Sequence, residues 1–283
     1  MKKIEEKDYE IINGSFGVSF VKFKILQKYE KKLTHAITLR NGGVSKKPYD
    51  SLNFRKTVKG EIENVSTNLK ICCDELKVNF ESVCKATQTH SNNILILNDK
   101  NKDEYLFSKD NKEEFDAYIV EEKNITTYIT TADCIPIIIY DPIKNIVSNI
   151  HSGWRGTVAK IYMNVINVLK SEYDSNINDL IICIGPHIRS CCFSSEELEF
   201  KEKFTNVWKN ELEYIFYENN KKRFHIDMEK LIIGDILKAG IRKENIATCN
   251  ICTCCNSDKF FSCRASKKDG SDFGTFATFV CLK

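Results

Sequence analysis

The sequence predicts an α+β fold of packed, mixed β-sheets flanked by helices, and three observations predict it. Short β-rich runs recur along the whole chain, several of them apolar throughout, as expected of strands covered on both faces. Stretches with helical spacing lie between them. Strands and helices do not alternate one for one, which argues against a doubly wound parallel sheet.

The strand candidates are 94–97, 126–130, 135–140, 146–150, 180–184 and 276–280. A first helix is written by Ile62, Val65, Leu69, Cys72 and Leu76, and a second by Val158, Ile161, Val165 and Val168. A third is expected over about 195–216, with Leu198, Val207, Trp208, Leu212 and Ile215 as core candidates. A fourth starts after Asp227 as N-cap and stops at Gly240. No internal repeat, low-complexity tract or Pro/Gly/Ser linker divides the chain, so one domain over residues 1–283 is the simplest expectation.

With 283 residues, 42% of them hydrophobic, the chain buries a large core without disorder. Residues 1–8 lack the apolar stretch of a signal peptide and no run is long enough to span a membrane, so a soluble, cytoplasmic protein is expected. Lys and Arg total 42 against 39 Asp and Glu, and the signs are interspersed, which argues against nucleic acid as a partner. Thirteen cysteines are too many, and the chain too long, for a disulfide scaffold, so reduced thiols are expected. Cys249, Cys252, Cys254 and Cys255 have spacing suited to a structural zinc but lack an evident second half.

There are five histidines, so their placement matters. His90 precedes the strand at 94, His151 ends the strand 146–150, and Cys134 breaks the chain between two strands. Two imidazoles and a thiolate are the three-ligand set of a catalytic zinc with an open fourth position. The same residues also allow a Cys134 nucleophile activated by His151, or two structural histidines beside a core thiol. The loop His151-Ser152-Gly153-Trp154-Arg155-Gly156 leads into a helix, where Arg155 and the helix start suggest an anion site. Trp154 is a core aromatic or a stacking surface for a base.

Taken together, Arg40-Asn41-Gly42-Gly43, Ser51-Leu52-Asn53, Gln88-Thr89-His90, Ala132-Asp133-Cys134-Ile135-Pro136, His151-Ser152-Gly153-Trp154-Arg155-Gly156, Gly185-Pro186-His187 with Cys191-Cys192-Phe193, and Phe260-Phe261-Ser262-Cys263-Arg264 resemble the YfiH/YlmD family. The resemblance runs over about residues 33–282. The family is known both as polyphenol oxidase, or laccase domain, and as purine nucleoside phosphorylase. It implies one α+β domain related to the catalytic domain of cytotoxic necrotizing factor, with a zinc on His90, Cys134 and His151 and copper as an adventitious alternative. It further implies phosphorolysis of adenosine, inosine, guanosine and methylthioadenosine, with purine nucleoside and phosphate as partners, and deamination of adenosine. Under that reading Asp133 is the acid or base, and Arg40, Asn53, Gln88, Arg155 and Arg264 are the substrate-binding candidates.

Two departures bear on phosphate. A second arginine is expected where Ala265 stands, and a Gly-Arg pair where Gly274-Thr275 stands. His187 is read as lining the cleft at most. Rival readings are a cysteine hydrolase or amidase acting on cell-wall precursors through Cys134, and a copper polyphenol oxidase. Five histidines without a His-x-His pair are too few for a blue-copper and trinuclear arrangement.

Overall fold

The computed structural model describes residues 7–109, 111–218, 220 and 222–283. One sheet orders β1 (Tyr9–Asn13), β2 (Ser19–Phe23), β3 (Leu33–Thr38), β15 (Phe276–Leu282), β7 (Thr126–Thr131) and β4 (Val83–Cys84). The second orders β14 (Ile246–Thr248), β10 (Ile181–Ile184), β8 (Ile135–Asp141), β9 (Ile146–Ser152), β6 (Ala117–Val120) and β5 (Ile94–Leu97). A small third sheet orders β11 (Ser194–Ser195), β13 (Arg223–Ile226) and β12 (Ile215–Glu218). Both large sheets are mixed: most neighbours are antiparallel, while β4 with β7, β5 with β6 and β10 with β14 are parallel.

The helices are α1 (Lys24–Gln27), α2 (Ile62–Leu76), α3 (Trp154–Val158), α4 (Ile161–Tyr173), α5 (Leu198–Thr205), α6 (Met228–Lys238) and α7 (Cys263–Asp269). The two-residue period of each strand divides its side chains between two apolar layers. On β8, Ile138 and Tyr140 join the core between the large sheets, while Ile137 and Ile139 pack under α4 and α6. On β15, Phe276 and Val280 face the inter-sheet core, and Ala277 and Phe279 pack with Leu69, Cys72 and Leu76 of α2. The order is therefore helix, sheet, sheet, helix. Continuous apolar runs such as Ile135-Pro136-Ile137-Ile138-Ile139 follow from a strand buried on both sides.

Buried Asn149 of β9 ties the two sheets together, donating to the Thr278 carbonyl at 2.9 Å and to the Thr127 carbonyl at 3.3 Å. The Asp227 side chain caps α6 by accepting from the Lys230 amide, as its position before the helix predicts.

The third expected helix is corrected. Helix α5 stops at Thr205, and Ile215 and Phe216 instead begin a strand paired with β13. Trp208 is buried beside Phe204, but Leu198 is 61% exposed, so no single apolar stripe runs over 195–216. The aromatic and β-branched content of Ile215-Phe216-Tyr217 suits a hairpin better than a continuation of the helix. The Leu212 side chain lies outside the described residues.

Phe279, 1% exposed and stacked on Tyr128, and Leu198 make a matched test of this layering. Phe279→Ala should destabilise by about 3–5 kcal/mol through the cavity left behind. Leu198→Ala should stay within about 0.5 kcal/mol in the same urea titration, and a similar loss in both would contradict the layer assignment.

Candidate metal centre

Three strand ends bring His90, Cys134 and His151 together. His151 is on β9 opposite Pro136 of β8, and Cys134 stands immediately before β8, so the antiparallel pairing of two central strands sets these two side chains. His90 comes from the loop before β5. The donor atoms of all three lie within 4.8 Å of one another, and Cys134 Sγ is 3.5 Å from His90 Nε2. The two imidazoles meet edge to face at 4.8 Å between centroids.

Asp116, fully buried at the head of β6, organises this cluster. Its Oδ1 is 2.6 Å from His151 Nδ1, which leaves Nε2 as the donor toward the centre. It also accepts from the backbone amides of Thr89, His90 and Ser91 and from the Ser91 hydroxyl. A single carboxylate therefore fixes the tautomer of one histidine and the loop that presents the other. His90 itself has φ +62, a left-handed conformation that the Asp116 contacts hold in place.

Gly153, which precedes the short helix α3, packs directly against this cluster. A Cβ there would lie 2.3 Å from His90 Cδ2 and 3.3 Å from Cys134 Sγ. The missing side chain gives room to the cluster, not to an anion.

Burial by itself would raise the Cys134 thiol, but the facing His151 and the hydrogen bonds from both histidines bring it down to about 6. Burial likewise opposes a charged His151, yet the Cys134 thiolate and Asp116 outweigh it and push it up to about 9. Burial also opposes the Asp116 charge, but His151 and Ser91 hold its carboxyl below the usual range. Without a metal, the pair is a thiolate facing an imidazolium. Two imidazole nitrogens and a thiolate suit a borderline-soft divalent ion such as zinc, and the carboxylate behind His151 is the support such a ligand ordinarily has.

The cluster opens into a cavity of about 920 Å³. Arg55, Lys56, Lys85, Lys109, Arg264 and Lys267 line it, against one carboxylate, Asp133, among the described lining residues. Its apolar wall includes Phe107, Phe193, Phe200 and Trp154, the last packed edge-on against Phe200. The Lys85 ammonium is pushed down to about 7 by burial and by neighbouring Lys56.

The substrate-binding candidates divide by position. Gln88 and Arg264 line the cavity, as does Asp133. The Gln88 amide, however, is engaged with the Thr130 backbone in both directions, donating at 2.9 Å and accepting at 2.8 Å, like an extra strand residue. Asp133, at φ +93, has one oxygen taken by the Thr253 hydroxyl and the other by the Arg264 amide, both at 2.7 Å. That is a structural carboxylate.

Arg40, Asn53 and Arg155 do not line the cavity. Arg40 holds the Asp50 and Ser257 carbonyls and lies over the Phe261 ring. Buried Asn53 accepts from the amides of Arg55 and Thr275, both lining residues, and so acts at one remove. Arg155 is exposed, with its guanidinium 4.6 Å from the Trp154 ring centroid, and α3 behind it is only five residues long. Contrary to the expectation from the sequence, Arg155 therefore does not share the cavity beside the cluster. His187 also points away: it is buried, with Nδ1 2.8 Å from the Gly185 carbonyl and its pKa lowered to about 3 by burial.

Sequence reasoning missed Asp116 and Lys85. Asp116 leaves one signal, a lone acid heading the apolar run Ala117-Tyr118-Ile119-Val120, where a buried carboxylate requires partners. The expected Cys249, Cys252, Cys254 and Cys255 group is also rearranged. Cys249 lies in the inter-sheet core and Cys254 sits beside Lys268, while Cys252 and Cys255 meet Cys191 and Cys192.

A family model described as multi-copper polyphenol oxidoreductase laccase matches residues 34–283. The chain belongs to this family. A Clostridium acetobutylicum protein named purine nucleoside phosphorylase is 34% identical over 206 residues, covering 72% of this chain and 79% of that one. A human protein of the same name is 30% identical over 256 residues, 88% of this chain. The chain spans about half the length of that human relative, 55%. Among solved structures, YfiH of Bacillus licheniformis superposes with a TM-score of 0.84 at 26% identity, covering 93% of this chain and 96% of that one. YlmD of Geobacillus stearothermophilus gives 0.85 at 20% identity over the full length of both and attests the fold.

Two outcomes test the centre. Gly153→Ala should displace His90 and abolish stoichiometric metal at the cluster while the circular dichroism of the fold is retained; undiminished binding would contradict the packing argument. Between about pH 6 and about pH 9 the metal-free pair carries one proton, on His151. A divalent ion must displace it, so affinity measured by chelator competition should rise about tenfold per pH unit across that window and level off above it. A flat profile would mean that these donors do not hold the ion.

Proposed function

We propose that the chain is a metal-dependent purine nucleoside phosphorylase acting in the cavity beside His90, Cys134 and His151. The observation that carries this reading is the make-up of that cavity: six basic side chains against one already-engaged carboxylate among the described lining residues, next to a metal-type donor set. A cavity so lined favours an anionic ligand, and its size falls within the roughly 300–1,000 Å³ usual for small-molecule sites. The names of the relatives support the purine and the phosphate.

A divalent ion on His90, Cys134 and His151 would supply Lewis acidity. Asp116 keeps His151 oriented toward it. Lys56 repels the Lys85 ammonium, so bound phosphate would relieve their charge, and we assign the phosphate subsite there. Phe107, Phe193 and Phe200 offer apolar surface to the purine. Each Asp133 oxygen already accepts a hydrogen bond from the fold, so we read this residue as a support and not as the acid or base of deamination, and phosphorolysis is the activity proposed.

The order Cys134, His151, Asp116 is also that of a nucleophile, base and orienting carboxylate, which favours a cysteine hydrolase as the second reading. The two part on metal removal. Incubated with inosine and phosphate, the metal-loaded protein should release hypoxanthine and ribose 1-phosphate, and lose this on chelation and in His90→Ala, Cys134→Ala and His151→Ala. Lys85→Met should raise the phosphate KM by at least about tenfold, the value of one charged hydrogen bond, with little change in the inosine KM, whereas Arg155→Ala should change neither. Base release without phosphate, or full activity after chelation, would reject the phosphorylase.

A further inference from the structure

We propose that Cys191, Cys192, Cys252 and Cys255 form a second metal site, a tetrathiolate that takes zinc and clips together the two loops forming one wall of the cavity. The Sγ atoms of these four residues lie within 4.8 Å of one another. Cys255 Sγ is 3.6 Å from Cys191 Sγ and 3.4 Å from Cys192 Sγ. Four sulfurs about 2.3 Å from one zinc sit roughly 3.8 Å apart along the edges of a tetrahedron, so the spacing is already near that of a filled site.

The sequence supplies the second half of the site as adjacent residues, Cys191-Cys192, some 60 residues before the Cys252-Thr253-Cys254-Cys255 turn. Backbone pairing brings the halves together without a metal. His187 donates to the Ile251 carbonyl at 3.2 Å, and Thr253 donates to the His187 carbonyl at 3.0 Å. The Arg189 amide points at Cys252 Sγ at 3.4 Å, a donor that stabilises thiolate charge. Cys191 and Cys255 are exposed while Cys252 is buried, which gives an ion both a way in and a protected seat.

A disulfide would use two of these sulfurs, but both Cys191 and Cys192 approach the same Cys255. Four thiol sulfurs within 4.8 Å of one another supply the full ligand set of a closed structural zinc site, with no position left for substrate. The clip would act on the cavity indirectly. The first loop continues into Phe193 and the second into Arg264 of α7, whose Nη1 donates to the Cys192 carbonyl at 2.6 Å. Zinc here would be a brace, and the inference stands whether or not the chain is a phosphorylase.

The test removes the other centre first. His90→Ala/Cys134→Ala protein, purified from zinc-supplemented cells, should retain one zinc per chain by mass spectrometry of metal content. Exchanged for cobalt, it should show the intense sulfur charge-transfer absorption of a tetrathiolate. Adding Cys252→Ser and Cys255→Ser should abolish both signals. In wild-type protein, so that folding of a variant is not at issue, zinc should shield Cys191, Cys192, Cys252 and Cys255 from alkylation until a chelator exposes them. Chelation of the His90→Ala/Cys134→Ala protein should also lower its unfolding temperature. Zinc-free His90→Ala/Cys134→Ala protein, four cysteines alkylated equally with and without zinc, or a disulfide to Cys255 in protein purified under reducing conditions would each overturn the site.

Discussion

The arrangement of the site depends on one buried carboxylate. Asp116 has no exposure to water and is held ionised by a histidine ring and by amides and a hydroxyl from the segment 89–91. A bare carboxylate in that position would cost several kcal/mol, so its partners are in effect compulsory. That requirement makes the loop adopt the left-handed turn at His90 and turns Nε2 of His151 toward Cys134. The polar network and the metal-type donor set are one structure. Neither the His90 loop nor the His151 ring could hold its place if the acid at the head of β6 were neutral and unpaired.

The layering of the sheets provides the frame. Cys134 and His151 sit at the same end of the paired β8 and β9 because those strands are antiparallel neighbours in the middle of a sheet, and Asn149 ties that sheet to its partner. Around this rigid part, polar side chains act mostly on the backbone. Gln88 completes the end of β7, Asn53 fixes Arg55 and Thr275, and Asp133 secures the start of α7. Several side chains expected to touch substrate instead hold the shape of the cavity in which substrate would lie. Much of the basic lining comes from lysines, Lys56 and Lys85 among them, whose long chains reach into the cavity from loops.

Much of this was legible in the sequence. Apolar runs such as 135–140 announced strands buried on both faces, and the spacing of Ile62, Val65, Leu69 and Cys72 announced α2, because two- and 3.6-residue periods are local properties of the chain. Residue type and strand-end position made His90, Cys134 and His151 candidates, with a Cys134 nucleophile and structural histidines equally open, and it was the family resemblance that implied a metal on them. The 195–216 helix failed because two segments with different partners happened to carry compatible spacing, and only pairing of Ile215 with Ile226 separates them.

What the sequence determined by itself was therefore the α+β class, the central strands and most of the helices, while the grouping of His90, Cys134 and His151 came from the family resemblance and from the fold that brings them together. The tertiary structure decided which polar residues face the cavity and which support it from behind. It took Arg155 out to the surface over Trp154, brought Asp116 in behind His151, and joined Cys191-Cys192 to Cys252 and Cys255. The physical reason is that burial and hydrogen-bond partnership are set by contacts between segments far apart in the chain. Periodicity reports which face of an element is apolar, but it carries no record of which distant carboxylate or thiol the opposite segment will supply.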